Sequence, residues 1–487
     1  MSDSTTRAFK VAVIGAGPIG LAAAAHLVRR GIGVEVFEAG ASVATHLESY
    51  AHVRLFSPWR YNVDSAAREL LQDAGWSMPA PDGLPTAGEL VEHYLQPLAS
   101  SSALAPHIRF EHRVLRVSRA GFDKLKTAGR EQADFMLLVE TPHGVKEVRA
   151  QAVIDASGTW AQPNPMGIHG YPAMGEVEAQ DHIAYGMPDI LGSRRAAYAG
   201  KSVMVVGAGH SAAGNLLALA ALAAEHPGTR VHWVVRSKDL RKIFGGGSAD
   251  GLPARGALGL NLRRLVDQQL LPPHQGFGVQ SIEQTGDGMT VRALDPSLPP
   301  VEGIDEIIVA AGSRPDLALA RELRTRLDPW IESTEALADL IDPNLHSCGT
   351  VRPHGHKELA HPEPGFYAIG AKSYGRAPNF LMATGYEQAR SVVAALTGDW
   401  AAADEVQLDL PQTGVCSVDL AAPAPQAPAP ASGCCGGPAV KDASACCALD
   451  EAEKSAGNAG CGCASGPAPA AKEPAQAVIP GRAACCS

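Results

Sequence analysis

Residues 10–20 read KVAVIGAGPIG. A short apolar run ends at Ile14 and meets Gly15-Ala16-Gly17-Pro18-Ile19-Gly20. Each glycine has its own physical reason. Gly15 permits a tight turn, Gly17 lets backbone N–H groups approach a pyrophosphate, and Gly20 lets the next helix pack against the strand. The helix N-terminus, with Pro18 and Ile19 in its first turn, then faces negative charge. The Ala- and Leu-rich segment that follows predicts this helix, and VEVFE, residues 34–38, predicts the next strand. Glu38 ends that strand 23 residues after Gly15, where a carboxylate can accept hydrogen bonds from a ribose.

The arrangement recurs at Gly207-Ala208-Gly209-His210-Ser211-Ala212, inside a strand–turn–helix–strand unit running from Ser202 to Arg236. Its helix is apolar almost all round, which predicts burial on every side. The second strand ends differently, in Val235-Arg236-Ser237-Lys238. A cationic strand end can pair with a 2′-phosphate, whereas an acid would repel it. The first turn therefore suits an unphosphorylated adenosine ribose, as in FAD, and the second suits NADPH over NADH. Solvation of Arg236 and Lys238 at an ordinary strand end is the alternative. His210 reads as a turn residue with no proton-transfer role.

Around these units the chain predicts an α/β fold of two Rossmann-like three-layer dinucleotide-binding domains, the NADPH domain inserted in the FAD domain. The expected divisions are 1–165 and 315–400 for the two parts of the FAD domain, 166–314 for the NADPH domain, and 401–487 for a linker and tail. Phe135–Glu140 and Val145–Ala150, joined by Pro142–Gly144, predict a hairpin. Ala152–Gly158, Ile304–Gly312 and Gly365–Gly370 predict strands, Ala87–Leu98 and Leu381–Leu396 helices, and Gly245–Gly259 a Gly-rich loop. Asp155-Ala156-Ser157-Gly158 and Ala310-Ala311-Gly312-Ser313-Arg314-Pro315-Asp316 each follow an apolar strand at an expected crossing between the domains. Small residues there let the chain pass close to a cofactor.

Apolar residues make up 46% of the 487 and charged residues 19%, so most of the chain is expected to fold. The net charge of −10 argues against nucleic acid or an anionic membrane as a partner. Val11–Val28 and Val203–Ala224 are apolar, but the glycine turns interrupt both, and neither reads as a membrane span. The first residues show no basic region followed by an apolar run. These features predict a cytoplasmic protein acting on a small-molecule substrate; they leave its oligomeric state open.

The motifs resemble those of flavoprotein monooxygenases of the flavin-containing and Baeyer–Villiger kind, within the wider group of two-dinucleotide-domain flavoproteins. The resemblance covers about residues 9–400 and is carried by Gly15–Gly20 with Glu38, Asp155–Gly158, Gly207–Ala212, Ala310–Asp316 and Gly365–Gly370. It implies that Ser157, Gly158, Gly312, Arg314 and Gly370 flank the cofactors. It also implies that Val114 joins the FAD site and that Arg54, Tyr61 and Asn62 approach the flavin ring. In such proteins the segment ending at Gly370 commonly continues with an acid that binds the ribityl chain, and here Ala371 follows. The monooxygenase signature Phe-x-Gly-x-x-x-His has no clean match in Gly167–Pro188, because Gly175 and His182 stand too far apart. More closely, the chain resembles the flavoproteins of bacterial arsenic-resistance operons. The carriers are Phe244–Gly247, Asp250–Arg255, Cys348–Gly355, Tyr374–Pro378 and the cysteine-rich tail.

The ten cysteines are unevenly placed: Cys348 stands alone in the first 415 residues. A disulfide-stapled core would spread them. Flavin reductases that work through a dithiol need two thiols beside the flavin, which the core lacks. Direct chemistry between reduced flavin and its acceptor is then expected, with O₂ as acceptor in a monooxygenase. His346, Cys348, His354, His356 and His361 crowd one segment; their types suit a soft metal or a proton relay, and an ordinary loop is the alternative. Residues 421–431 are almost all Ala, Pro and Gln and predict an extended linker. Beyond them Cys434, Cys435, Cys446, Cys447, Cys461, Cys463, Cys485 and Cys486, with Cys416 ahead, form a tail expected to be disordered. Adjacent thiolates place soft donors within reach of one ion such as arsenite, Zn(II), Cd(II) or Cu(I). Together these readings predict an NADPH-dependent flavin monooxygenase linked to metalloid detoxification. The alternatives are a reductase using tail dithiols and a metal-sequestering protein with a flavin core.

Overall fold

The computed structural model describes residues 9–345 and 351–408. Two five-stranded parallel sheets organise them. In the first sheet the order is Phe366–Ala368, Ala152–Asp155, Lys10–Ile14, Gly33–Phe37 and Ile108–Arg109. In the second it is Pro273–Gln275, Arg230–Val235, Ser202–Val206, Glu306–Val309 and Ile183–Tyr185. The inner strands Lys10–Ile14, Ala152–Asp155, Ser202–Val206 and Glu306–Val309 are near-continuous apolar runs because layers cover both faces of a parallel sheet. Val11, Val13, Val203, Val205 and Ile308 have no solvent exposure at all.

The second sheet begins and ends between Ala152–Asp155 and Phe366–Ala368, which are neighbours in the first. The domain of the second sheet is thus inserted in that of the first, as expected. Each sheet also has a companion three-stranded antiparallel sheet. One contains Arg113–Arg119, Phe135–Thr141 and Gly144–Ala150; the other contains Val279–Thr285, Gly288–Ala293 and Val301–Ile304. The expected hairpin is the pair Phe135–Thr141 and Gly144–Ala150. Its residues Phe135, Leu137 and Val139 alternate inward onto Ala12, Phe37 and Val153, forming the layer opposite the helices.

Several expectations need correction. Ile183–Tyr185 is an unexpected edge strand of the second sheet. Helix His210–Glu225 buries one face, through Ala212, Ala213, Asn215, Leu216, Leu219 and Leu222, while Ala221 and Ala224 are exposed. Alanines can line an outer face because they carry little apolar surface. The expected loop 245–259 is half helix: Pro253–Asp267 starts with Pro at its first position. A Cβ on Gly256 would lie 2.0 Å from the Gly247 carbonyl oxygen, and one on Gly259 would lie 1.9 Å from that of Phe244. These glycines are the face on which the helix meets its own preceding loop. The Ala87–Leu98 helix is present as Ala87–Leu90, a π-helical turn at Val91–Leu95, and Gln96–Ala99.

A charged cluster ties the first antiparallel sheet to the returning chain. Glu363 lies 2.8 Å from both Arg119 Nε and Arg130 Nη2, and accepts the Arg324 amide at 2.8 Å. All three charged side chains are buried, and Arg119 also lies over the Phe135 ring. Burial alone would raise the Glu363 pKa, but hydrogen bonds from Arg130, the Arg324 amide and Arg119 outweigh it and hold it below the ordinary glutamate range. A depressed folded-state pKa contributes stability above the unfolded value and loses it as pH falls through the folded one. Glu363→Ala should cost about 3–5 kcal/mol, because two arginines remain buried without their anion. Thermal melts should show this loss at neutral pH, with a smaller gap from the parent at acid pH.

Candidate functional site

The two glycine turns sit at the carboxyl ends of their sheets. At the first, Gly15 has φ +98° and the position of a Cβ there lies 2.9 Å from the Ala156 carbonyl oxygen. A Cβ on Gly20 would lie 2.0 Å from the Gly15 oxygen, whereas one on Gly17 would meet nothing within 4 Å. Gly15 and Gly20 are therefore demanded by the protein itself, and Gly17 leaves an open face. Gly17 caps helix Pro18–Arg29, and no side chain occupies its N-terminal amides. Those amides and the helix dipole fit a pyrophosphate. Glu38 accepts the Ala16 N–H at 2.7 Å and the Gly40 N–H at 2.8 Å, so the turn itself orients the carboxylate. Each oxygen retains a further lone pair for a ribose hydroxyl. The His112 amide donates to the Glu38 carbonyl at 2.8 Å, which brings the chain leading to Val114 alongside the same strand end.

The second turn follows the same plan. Gly207 has φ +142°, and a Cβ there would lie 2.3 Å from the Ala310 carbonyl oxygen; Gly209 faces open space. Helix His210–Glu225 again begins without a side-chain cap. Ala212 fits in the third place, its own Cβ about 3.4 Å from the Cβ position of Gly207. The buried Trp233 indole donates to the Gly207 carbonyl at 2.8 Å and holds the turn from below. Ser211 lies in the first helical turn. Arg236 and Lys238 are exposed at the strand end, and the Lys238 stem lies across Gly276. Both cations can therefore reach a ligand at this edge.

The two crossing segments run side by side. Pro163 bridges Ser313, the Asn164 amide donates to Gly312 at 2.9 Å, the Arg314 amide donates to Gln162 at 3.0 Å, and the Ser313 hydroxyl meets Thr159 at 2.9 Å. Gly158 and Gly312 both have positive φ, +71° and +82°, which their glycine identity allows. The Arg314 side chain turns towards Glu332, at 3.9 Å. Aromatic residues close this region. Trp160 packs on Tyr50 at 4.6 Å and donates to the Ser49 hydroxyl at 2.9 Å. Phe56 meets the His210 ring edge-on at 5.4 Å, joining the FAD part of the chain to the second turn. Burial pushes the Tyr50 phenol up to about 12.

Gly370 sits beside the first turn, the position of its missing Cβ 3.2 Å from Ile19 Cγ1. Its N–H donates to Gln388 Oε1 at 2.7 Å. Gln388 in turn meets His354 Nε2 at 3.0 Å, and His354 Nδ1 faces the Arg352 carbonyl at 2.9 Å. Burial holds His354 below its ordinary pKa, and the ring bridges Gln388 and the Arg352 carbonyl. The histidines of that segment do not converge. His356 bonds Asp404 at 2.8 Å, and His361 accepts the Arg326 amide at 3.3 Å, with burial pushing its pKa down to about 4. Among the described residues no group of three or more acidic, histidine or cysteine side chains could hold a metal. Of the three residues expected near the flavin ring, Arg54 donates to the Leu84 carbonyl and Tyr61 lies under Arg60. Asn62 is buried and donates to the carbonyls of Ser57 and Pro58. His346, Cys348 and every tail cysteine lie outside the described residues. Among the described residues no helix is long and apolar enough to cross a membrane.

Sequence reasoning missed Trp233, Gln388, Trp160 and Lys372. None of the four carried a local signal, since each acts on a segment distant in sequence.

Residues 12–349 match the family model for pyridine nucleotide-disulphide oxidoreductases. No curated protein matches the chain. The bacillithiol disulfide reductase of Bacillus cereus is similar at 17% identity and TM-score 0.60, over 81% of this chain and 100% of that one. An ornithine N-hydroxylase from a Kutzneria species shares 16% identity at TM-score 0.52, over 81% and 99%. A mutant flavin monooxygenase from Stenotrophomonas maltophilia shares 21% at TM-score 0.51, over 80% and 98%. At these identities the likeness is one of fold.

The different surroundings of Gly17 and Gly20 can be separated by experiment. Gly20→Ala should lower the melting temperature of the apoprotein as well as FAD affinity. Gly17→Ala should leave the apoprotein melt unchanged and weaken FAD binding by about tenfold or more, the scale of one hydrogen bond to a charged group. Calorimetry and FAD titration of the two variants check both expectations.

Proposed function

Because the chain belongs to the pyridine nucleotide-disulphide oxidoreductase family and is a flavoprotein with FAD and NADPH as cofactors, we propose that its reduced flavin reacts directly with the acceptor, as a monooxygenase of metalloid detoxification. The observation that carries this reading is the absence of any cysteine from residues 1–347, which contain both nucleotide turns and both crossings. No dithiol within that stretch can relay electrons from flavin to a disulfide. FAD supplies hydride acceptance from NADPH and reaction with oxygen. The chain's own parts bind and orient: Gly17 and the helix N-terminus hold the pyrophosphate, and Glu38 takes the ribose. Arg236 and Lys238 favour the 2′-phosphate. Trp160, Tyr50 and Phe56 place aromatic surface beside the crossing.

In the balanced reaction NADPH supplies two electrons and the acceptor two more. One oxygen atom of O₂ goes to the acceptor and the other leaves as water. A trivalent metalloid suits the acceptor role, since its lone pair can take an oxygen atom. The cysteines from Cys416 to Cys486 offer soft donors to collect such an ion.

The test measures NADPH oxidation, O₂ uptake and H₂O₂ release together, with arsenite added. The reading expects NADPH and O₂ consumed in equal amounts, little peroxide, and an oxidised metalloid product. Removing residues 416–487 should leave NADPH oxidation intact and abolish arsenite binding. Were Cys→Ser changes in the tail to stop electron transfer to a disulfide acceptor, a dithiol reductase would replace the monooxygenase. Were arsenite to bind without changing NADPH turnover, sequestration would be the better account.

The strand-end charges make a separate prediction. Arg236→Ala combined with Lys238→Ala should reduce the preference for NADPH over NADH by about 10- to 100-fold, through KM rather than kcat, as expected for loss of charge-assisted hydrogen bonds. Steady-state kinetics with the two nucleotides checks it.

A further inference from the structure

We propose that Lys372 is a positioning residue of the FAD site, holding the crossing turn Ala156–Gly158 in register through Asp155 and Ser157. Lys372 Nζ lies 2.6 Å from Asp155 Oδ2 and donates to the Ser157 hydroxyl at 2.9 Å. That hydroxyl donates to Asp155 Oδ1 at 2.6 Å, and the Ser157 amide reaches the same oxygen at 3.1 Å. The three side chains close a ring of two hydrogen bonds and one ion pair, Lys372 to Ser157, Ser157 to Asp155 Oδ1, and Lys372 with Asp155 Oδ2. Asp155 is fully buried and the Lys372 side chain is 5% exposed.

The placement gives the ring its purpose. Asp155 is the last residue of its strand before the chain leaves for the inserted domain, and Lys372 follows the chain's return. Lys372 and Ser157 are 215 residues apart in sequence. The same two segments enclose the first glycine turn: Ala156 backs onto Gly15, and Gly370 packs on Ile19. The Ile369 amide also donates to the Asp155 carbonyl at 2.9 Å. Buried ion pairs are weak sources of stability, and packed apolar residues of similar volume often do as well. Their best-attested benefit is a single defined arrangement, which a turn lying against a cofactor requires. A cavity of about 30 Å³ beside Lys372, lined in part by Asp316, Glu332, Thr334 and His361, offers room for a water molecule if the lysine is truncated.

The experiment uses the full-length holoprotein, with the FAD content of the parent as control. Lys372→Met should weaken FAD retention by about tenfold or more and move the flavin absorbance towards that of free FAD. Binding of 2′,5′-ADP, a probe of the second turn, should stay within about twofold of the parent. Combining Asp155→Asn with Lys372→Gln restores a neutral hydrogen-bonded pair and should recover most of the retention. If Lys372→Met fails to fold, Ser157→Ala serves instead. It removes the hydroxyl link, keeps the ion pair, and should weaken FAD binding with an unchanged apoprotein melt. Parental FAD affinity and spectrum in the folded variants would overturn the proposal. So would a loss of 2′,5′-ADP affinity in parallel with FAD, since that marks a general loss of stability.

Discussion

Main chain meets main chain at the end of each central strand, and the rest of this molecule depends on that approach. Residue 20 can carry no Cβ because the Gly15 carbonyl is already there, and residue 207 can carry none because the Ala310 carbonyl is. The contact brings a helix N-terminus to the carboxyl edge of the sheet, where its free amides can meet a phosphate. It also brings the neighbouring strand end, Ala156 in one domain and Ala310 in the other, against the turn. Those neighbours are the residues at which the chain passes between domains. The glycine turns and the domain crossings therefore share one place.

The two domains apply one plan with different edges. Each has a five-stranded parallel sheet with the glycine-turn strand at its centre and an antiparallel sheet beside it. One edge strand of the first is supplied after the insertion, by Phe366–Ala368, and one of the second before its glycine turn, by Ile183–Tyr185. The first domain is thus incomplete until the chain has left and come back. Its closure rests on long-range polar contacts: Glu363 with Arg119 and Arg130 at one end of the returning strand, and Lys372 with Asp155 at the other. Charge distinguishes the ligand edges, with Glu38 at one strand end and Arg236 and Lys238 at the other.

What was legible follows from the range of the interactions. The glycine turns, Glu38, the hairpin and each crossing turn taken singly rest on residues close in sequence, whose spacing carries the geometry. Trp233 under Gly207, Gln388 behind Gly370 and Phe56 against His210 rest on contacts between distant segments, and nothing local announces them. Proximity in sequence also misled. His354, His356 and His361 stand within eight residues yet face Gln388, Asp404 and the Arg326 amide. Gly256 and Gly259 read as loop residues because glycine disfavours helices. In the structure they are helical because only glycine lets that helix touch its own preceding loop.

By itself the sequence determined the fold class, the insertion and the two nucleotide turns, since a β-strand, a glycine turn and a helix are specified by neighbours along the chain. It also determined that residues 1–347 contain no thiol, a matter of composition alone. Only the tertiary structure decided which side chains meet at the end of the first sheet. Asp155 and Lys372 become partners because the sheet places Phe366–Ala368 beside Ala152–Asp155. That pairing is set by strand order across the whole inserted domain, which no local pattern encodes.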